Sequence, residues 1–182
     1  MNLIKFIQQV MRLKELKRKG WLYKDIPGPE SVADHSFGVA MLALTVPLPK
    51  GINREKLIKM ALIEELGEIE GGDIVWEKGA HINLKKRRKQ IISEKKTVNK
   101  IFDIIDNEKL KNLLLEYLEQ KTKTARFLKE LGKLEMVLQA LEYEKKVHPS
   151  KLTEFWINAD KYIKDKRLRE YFLELKTKRN VN

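Results

Sequence analysis

Apolar residues recur three and four positions apart along most of the 182-residue chain, and that spacing is the strongest limit on how it can fold. Phe127, Leu131, Leu134, Leu138 and Leu141 make one stripe. Leu3, Ile7, Val10 and Met11 make another, followed by Leu13 and Leu16. No stretch alternates as a half-buried strand does, no repeat is visible, and no linker is long enough to divide domains. The pattern predicts an all-α chain of about seven or eight helices in a single domain over 1–182. A chain of this length buries roughly 70% of its unfolded surface, so it needs no covalent staple.

Punctuation residues divide the pattern. A first helix is expected to end at Lys17-Arg18-Lys19-Gly20, and Trp21 to Glu30, with Pro27 and Pro29, reads as a structured loop. Ser31 is placed to cap a helix running to Val46, closed by Pro47 and Pro49. Asn53 is placed to cap one over Arg54–Ile69, stopped by Gly71-Gly72, with Asp73–Ile82 irregular. Further helices are expected over Leu84–Ile105, Glu108–Gln120 and Thr124–Val147. Two more carry Leu152, Phe155, Trp156 and Ala159, then Leu168, Tyr171, Phe172 and Leu175, with fraying from Lys176.

Composition removes several classes of function. Cysteine is absent, which excludes disulfides, thiolate metal sites and a cysteine nucleophile. The longest mostly apolar run, Val39 to Val46, falls far short of the ~20 residues of a membrane span. Met1-Asn2-Leu3-Ile4-Lys5 lacks the apolar core of a secretory signal. These features predict a cytoplasmic protein with no membrane partner. With 38 Lys and Arg against 26 Asp and Glu, the net charge is +12. This favours anionic partners such as nucleotides or phosphates, although a solvated Lys/Glu surface would give the same balance. The run Lys85-Lys86-Arg87-Arg88-Lys89 reads as a solvated face or a phosphate-backbone contact. No nucleic-acid-binding signature accompanies it, so a nucleic-acid partner is not expected.

Three stretches could carry chemistry. In Pro29-Glu30-Ser31-Val32-Ala33-Asp34-His35-Ser36, His35 falls in the first turns of a helix, as a packed residue or a ligand. In Glu64-Glu65-Leu66-Gly67-Glu68, helical spacing puts Glu64 with Glu68 and Glu65 with Glu68 on shared faces. Such clustering needs solvent, cations or a metal. Arg18 can grip a phosphate with two donors and Trp21 can stack on a base, or the two can be a helix-end cation and a core aromatic. His81 and His148 belong to no cluster and read as surface residues.

The order of these stretches, continued by Lys129-Glu130-Leu131-Gly132-Lys133-Leu134-Glu135-Met136 and by Gln139-Ala140-x-Glu142-Tyr143-Glu144, resembles the HD-domain phosphohydrolases. Within them it is most similar to the small branch of 5′-deoxynucleotidases, over roughly Leu13 to Ile163. The resemblance implies an all-α, often dimeric protein that uses a divalent metal (Mn, Co, Ni, Zn or Mg) to hydrolyse phosphate esters. The family's first metal-binding His matches His35. Its His-Asp pair falls on Glu64 and Glu65, and its later Asp falls on Gly132. Arg18 matches the phosphate-binding Arg and Trp21 the neighbouring aromatic; Glu68 and Asp73 match the acidic residues that manage water. Glu135 has no assigned role. One metal ligand in four is therefore intact. Two functions follow. One is a divergent phosphohydrolase on nucleoside monophosphates, with His35, Glu64 and Glu65 as a rebuilt metal site. The other is a catalytically inactive relative, without metal, that binds a nucleotide or a protein partner.

Overall fold

The computed structural model describes residues 1–70 and 84–179. Among them are nine α-helices and no strand: α1 (Leu3–Glu15), α2 (Lys19–Leu22), α3 (Val32–Thr45), α4 (Arg54–Ile63), α5 (Leu84–Asp103), α6 (Glu108–Glu119), α7 (Lys123–Tyr143), α8 (Thr153–Tyr162) and α9 (Lys166–Thr177). The all-α expectation holds, with more helices than the seven or eight predicted. The additional α-helix is α2, and two breaks in the predicted helices do not show in the periodicity.

The first break lies at Leu16–Arg18. The chain extends there and pairs with the start of α3: Val32 N–H donates to Leu16 O at 2.8 Å and Arg18 N–H to Glu30 O at 3.1 Å. The segment predicted to run helically to Gly20 is thus interrupted, and α2 straddles the predicted start of the loop at Trp21. The second break is a change of pitch. The helix predicted over Arg54–Ile69 is α-helical only to Ile63, and Glu64–Glu68 tighten into a 3-10 turn. At three residues per turn Glu65 and Glu68 eclipse, whereas Glu64 and Glu68 no longer share a face. A second 3-10 turn, Pro149–Leu152, precedes α8.

Two apolar clusters hold the elements. One surrounds α7 and takes in Val39, Ala40 and Ala43 of α3, Leu57, Met60 and Ala61 of α4, Trp156 of α8 and Phe172 of α9. The other joins Leu13, Val32, Leu66, Val98, Phe102 and Leu114. Helix α3 crosses from one cluster to the other, so His35, between Val32 and Val39, stands at their seam.

The N-terminus of α3 is fixed by a reciprocal cap. Asp34 N–H donates to Ser31 Oγ at 3.1 Å, and Ser31 N–H donates to Asp34 Oδ2 at 2.7 Å. The second bond holds the Asp34 carboxyl below its usual range. Ser31→Ala is expected to cost about 1 kcal/mol in urea unfolding, the usual loss for a capping hydroxyl. A change within a few tenths would show that the backbone pairing alone sets the helix start.

Candidate active site at the seam of α3, α7 and the 3-10 turn

His35 is 3% exposed. The extended pairing of Leu16–Arg18 with Glu30–Val32 brings Arg18 to it, the 3-10 turn brings Glu64 and Glu65, and α7 brings Gly132 and Glu135. His35 Nδ1 is hydrogen-bonded to Glu135 Oε2. The other ring nitrogen, Nε2, faces Glu65, whose Oε1 is 3.7 Å away. Arg18 Nη1 donates to the same Glu65 oxygen at 3.1 Å. A Cβ added at Gly132 would stand 3.7 Å from His35 Nε2.

Glu64 is buried, and its Oε1 has no hydrogen-bond partner. The Tyr117 hydroxyl of α6 stands beside the Glu64 carboxylate and favours its charged form. Burial pushes the Glu64 carboxyl well above the ordinary 4.5, and the neighbouring Glu65 charge pushes the same way; Tyr117 and Arg18 oppose it. The same burial and the Glu64 charge hold the Tyr117 hydroxyl well above its usual range. Glu135 is raised to about 7, mainly by burial, against the pull of Arg18. Glu30 is raised to about 7 by burial and by the Glu135 charge. The centre is therefore a low-dielectric acidic pocket with one guanidinium in it, and it favours an additional cation.

The donor set tests whether a divalent ion fits. One ligand atom each from His35, Glu64 and Glu65 lies within 4.8 Å of the others. An imidazole nitrogen with two carboxylates suits a first-row divalent ion. The unpartnered Glu64 Oε1 is an acceptor that an ion would satisfy. The three residues fit, although a bound ion must share Glu65 with Arg18.

One expected site residue stands apart from this cluster. Trp21, expected to line a pocket, is a core residue, 1% exposed. Phe155 stacks on it at 4.2 Å and Tyr143 meets it edge-on at 5.2 Å. Its indole N–H donates to Glu30 Oε1 at 2.7 Å, so this ring is not available to a base. Glu68 lies close enough to Tyr117 for its charge to act there. Asp73 and His81 fall outside the described residues, as do the side chains of Lys85 to Arg88; Lys89 is exposed. His148 is an exposed cap, with Nδ1 accepting from Ser150 N–H at 3.3 Å.

Glu30, Glu135 and Tyr117 received no role from the sequence. Of these, Glu135 had a local signal. Glu135 lies one turn from Gly132 on α7, and Gly38 lies one turn from His35 on α3, so small residues face functional ones across the α3–α7 contact. The string Gln139-Ala140-x-Glu142-Tyr143-Glu144 is largely structural. Tyr143 accepts from Glu30 N–H at 2.8 Å, and Glu144 Oε1 accepts from Trp156 at 2.9 Å and from Arg179 at 2.8 Å.

Residues 10–176 match the HD domain family. The chain belongs to that family. Among similar proteins, the 5′-deoxynucleotidase HDDC2 of Danio rerio is 36% identical over 163 residues, 87% of this chain and 78% of that protein. The 5′-deoxynucleotidase hdd1 of Schizosaccharomyces pombe is 33% identical over 157 residues, 83% of this chain and 77% of that protein. The solved structure of the PH0347 protein from Pyrococcus horikoshii superposes with a TM-score of 0.74 at 34% identity, covering 96% of this chain and 97% of that one. A conserved hypothetical protein from Pyrococcus furiosus gives 0.73 at 31% identity, with 96% and 99% covered. This chain is thus a divergent HD-domain protein related to 5′-deoxynucleotidases, in a family consistent with metal-dependent phosphohydrolysis.

Proposed function

We propose that this chain is a metal-dependent phosphomonoester hydrolase acting on nucleoside 5′-monophosphates through a rebuilt metal site. The observation that carries the proposal is the convergence of His35, Glu64 and Glu65 around the unpartnered Glu64 Oε1, next to Arg18. His35 Nε2 and the two carboxylates would hold the ion, which supplies positive charge at the phosphoryl oxygen and lowers the pKa of the attacking water. Arg18 would bind phosphate once Glu65 is neutralised by the ion; until then Glu65 competes for the guanidinium. Glu68 and Asp73 would orient water or take its proton. Trp21 supports Glu30 from the core.

The test is phosphate release from deoxy- and ribonucleoside 5′-monophosphates with Mn, Co, Ni, Zn or Mg. Release is expected only with metal and is expected to disappear in His35→Ala and Asp73→Asn. Arg18→Ala is expected to raise KM about tenfold, the loss of one charge-assisted contact. Nucleotide binding without release under every metal would favour the inactive relative instead, a reading supported by the missing side chain at Gly132 and by the Arg18–Glu65 pair. No helix among the described residues is long and apolar enough to cross a membrane. We extend the proposal to a cytoplasmic homodimer; light scattering should then give twice the 21.4 kDa chain mass.

A further inference from the structure

We infer that Glu135 is the positioning residue for His35, and that Gly38 is what lets it reach the ring. This rests on the reading of His35 as a metal ligand and adds a residue with no assigned role in that reading. An imidazole offers one nitrogen as a ligand only when the other carries the proton, and the partner of the second nitrogen decides which is which. His35 Nδ1 is bonded to Glu135 Oε2, while Nε2 faces Glu65 and the space beside Gly132. Glu135 thus keeps the proton on Nδ1 and presents Nε2 toward Glu64 and Glu65.

The approach of Glu135 depends on the absence of a side chain across the interface. A Cβ at Gly38 would stand 2.8 Å from both Cγ and Oε1 of Glu135. That is too close for any real contact, and the flexible end of Glu135 would have to leave. Gly38 sits inside α3, where alanine is otherwise the better helix former, so Gly38→Ala disturbs Glu135 without weakening the helix. The pairing can therefore be broken from either side of the α3–α7 contact.

The test is ring-nitrogen NMR of histidine-labelled protein, first metal-free and then with zinc. The three histidines are assigned with His81→Gln and His148→Gln. Wild type is expected to hold a proton on His35 Nδ1. Glu135→Gln, which can still accept from Nδ1, is expected to keep it. Glu135→Leu and Gly38→Ala are expected to move the neutral ring to the Nε2-protonated form and to weaken zinc binding by about 10–100-fold, the usual loss for an outer partner of a metal-bound histidine. An unchanged Nδ1 proton and a zinc affinity within about twofold in both variants would overturn the inference. The metal-free spectrum reads Glu135 alone, so absence of zinc binding by wild type would count against the rebuilt metal site and not against this pairing.

Discussion

Replacing Glu64 by glutamine is expected to stabilise the metal-free protein by about 2 kcal/mol near pH 8, the scale of a buried group lacking its partner. The same change is expected to lower divalent-ion affinity at least ~100-fold, because one unit charge at ~4 Å is worth ~4 kcal/mol at an effective dielectric of ~20. Glu64 is buried with one oxygen unpartnered, and its neighbour Glu65 is also acidic. Its carboxyl is raised above the ordinary 4.5, so the folded state holds a proton that the unfolded chain releases. The Glu64 contribution to stability is therefore greatest below its unfolded value and falls as pH rises toward its folded one. Glutamine carries no charge at any pH, and its amide oxygen can accept from the neighbouring Tyr117 hydroxyl. Urea unfolding in chelator at about pH 5 and about pH 8 should show the advantage of glutamine growing with pH. A variant that is less stable than wild type at the higher pH would mean that Glu64 is well compensated where it lies.

Gly132→Asp is expected to do the reverse. Its Cβ would make an ordinary contact with His35 Nε2 at 3.7 Å, and its carboxylate would join His35, Glu64 and Glu65. Without metal this adds a further acid to a pocket where burial already raises Glu64 and Glu135. A loss of about 1–2 kcal/mol is expected from crowded, desolvated like charges. With manganese or zinc the added ligand should tighten binding ~10-fold or more, and an ion at 100 times its Kd then returns about 2.7 kcal/mol. The melting temperature should thus fall below wild type in chelator and recover or exceed it with metal. A melting temperature insensitive to metal in this variant would show that no ion is held near His35.

Eight of the nine α-helices were legible because apolar spacing survives in them, and the caps at Ser31 and Asn53 sit where their side chains can reach the first free N–H groups; the four-residue α2 was not. Spacing identifies a face but not what covers it. Leu138 belongs to the α7 stripe, yet it is partly open to solvent, as are Leu3, Ile7 and Met11 of α1. The pitch change at Glu64 was not legible, since α and 3-10 turns use the same residues and differ only in which carbonyl accepts. His35, Glu64 and Glu65 were found through a resemblance, and the structure brings those three together. The partners that decide their chemistry come from far along the chain: Glu135 is 100 positions from His35, and Tyr117 lies on α6. No local pattern encodes those pairings; they arise when α3 packs against α7 and the 3-10 turn against α6.

The proposed activity needs one bound ion, so metal content per chain is its most direct test. Protein incubated in turn with Mn, Co, Ni, Zn and Mg, freed of loosely held ions, would be assayed by elemental analysis beside His35→Ala. The prediction is close to one ion per chain in wild type for at least one of these metals, and none in the variant. No retained ion in wild type under any of the five, or equal retention in His35→Ala, would contradict a tightly held metal at His35, Glu64 and Glu65.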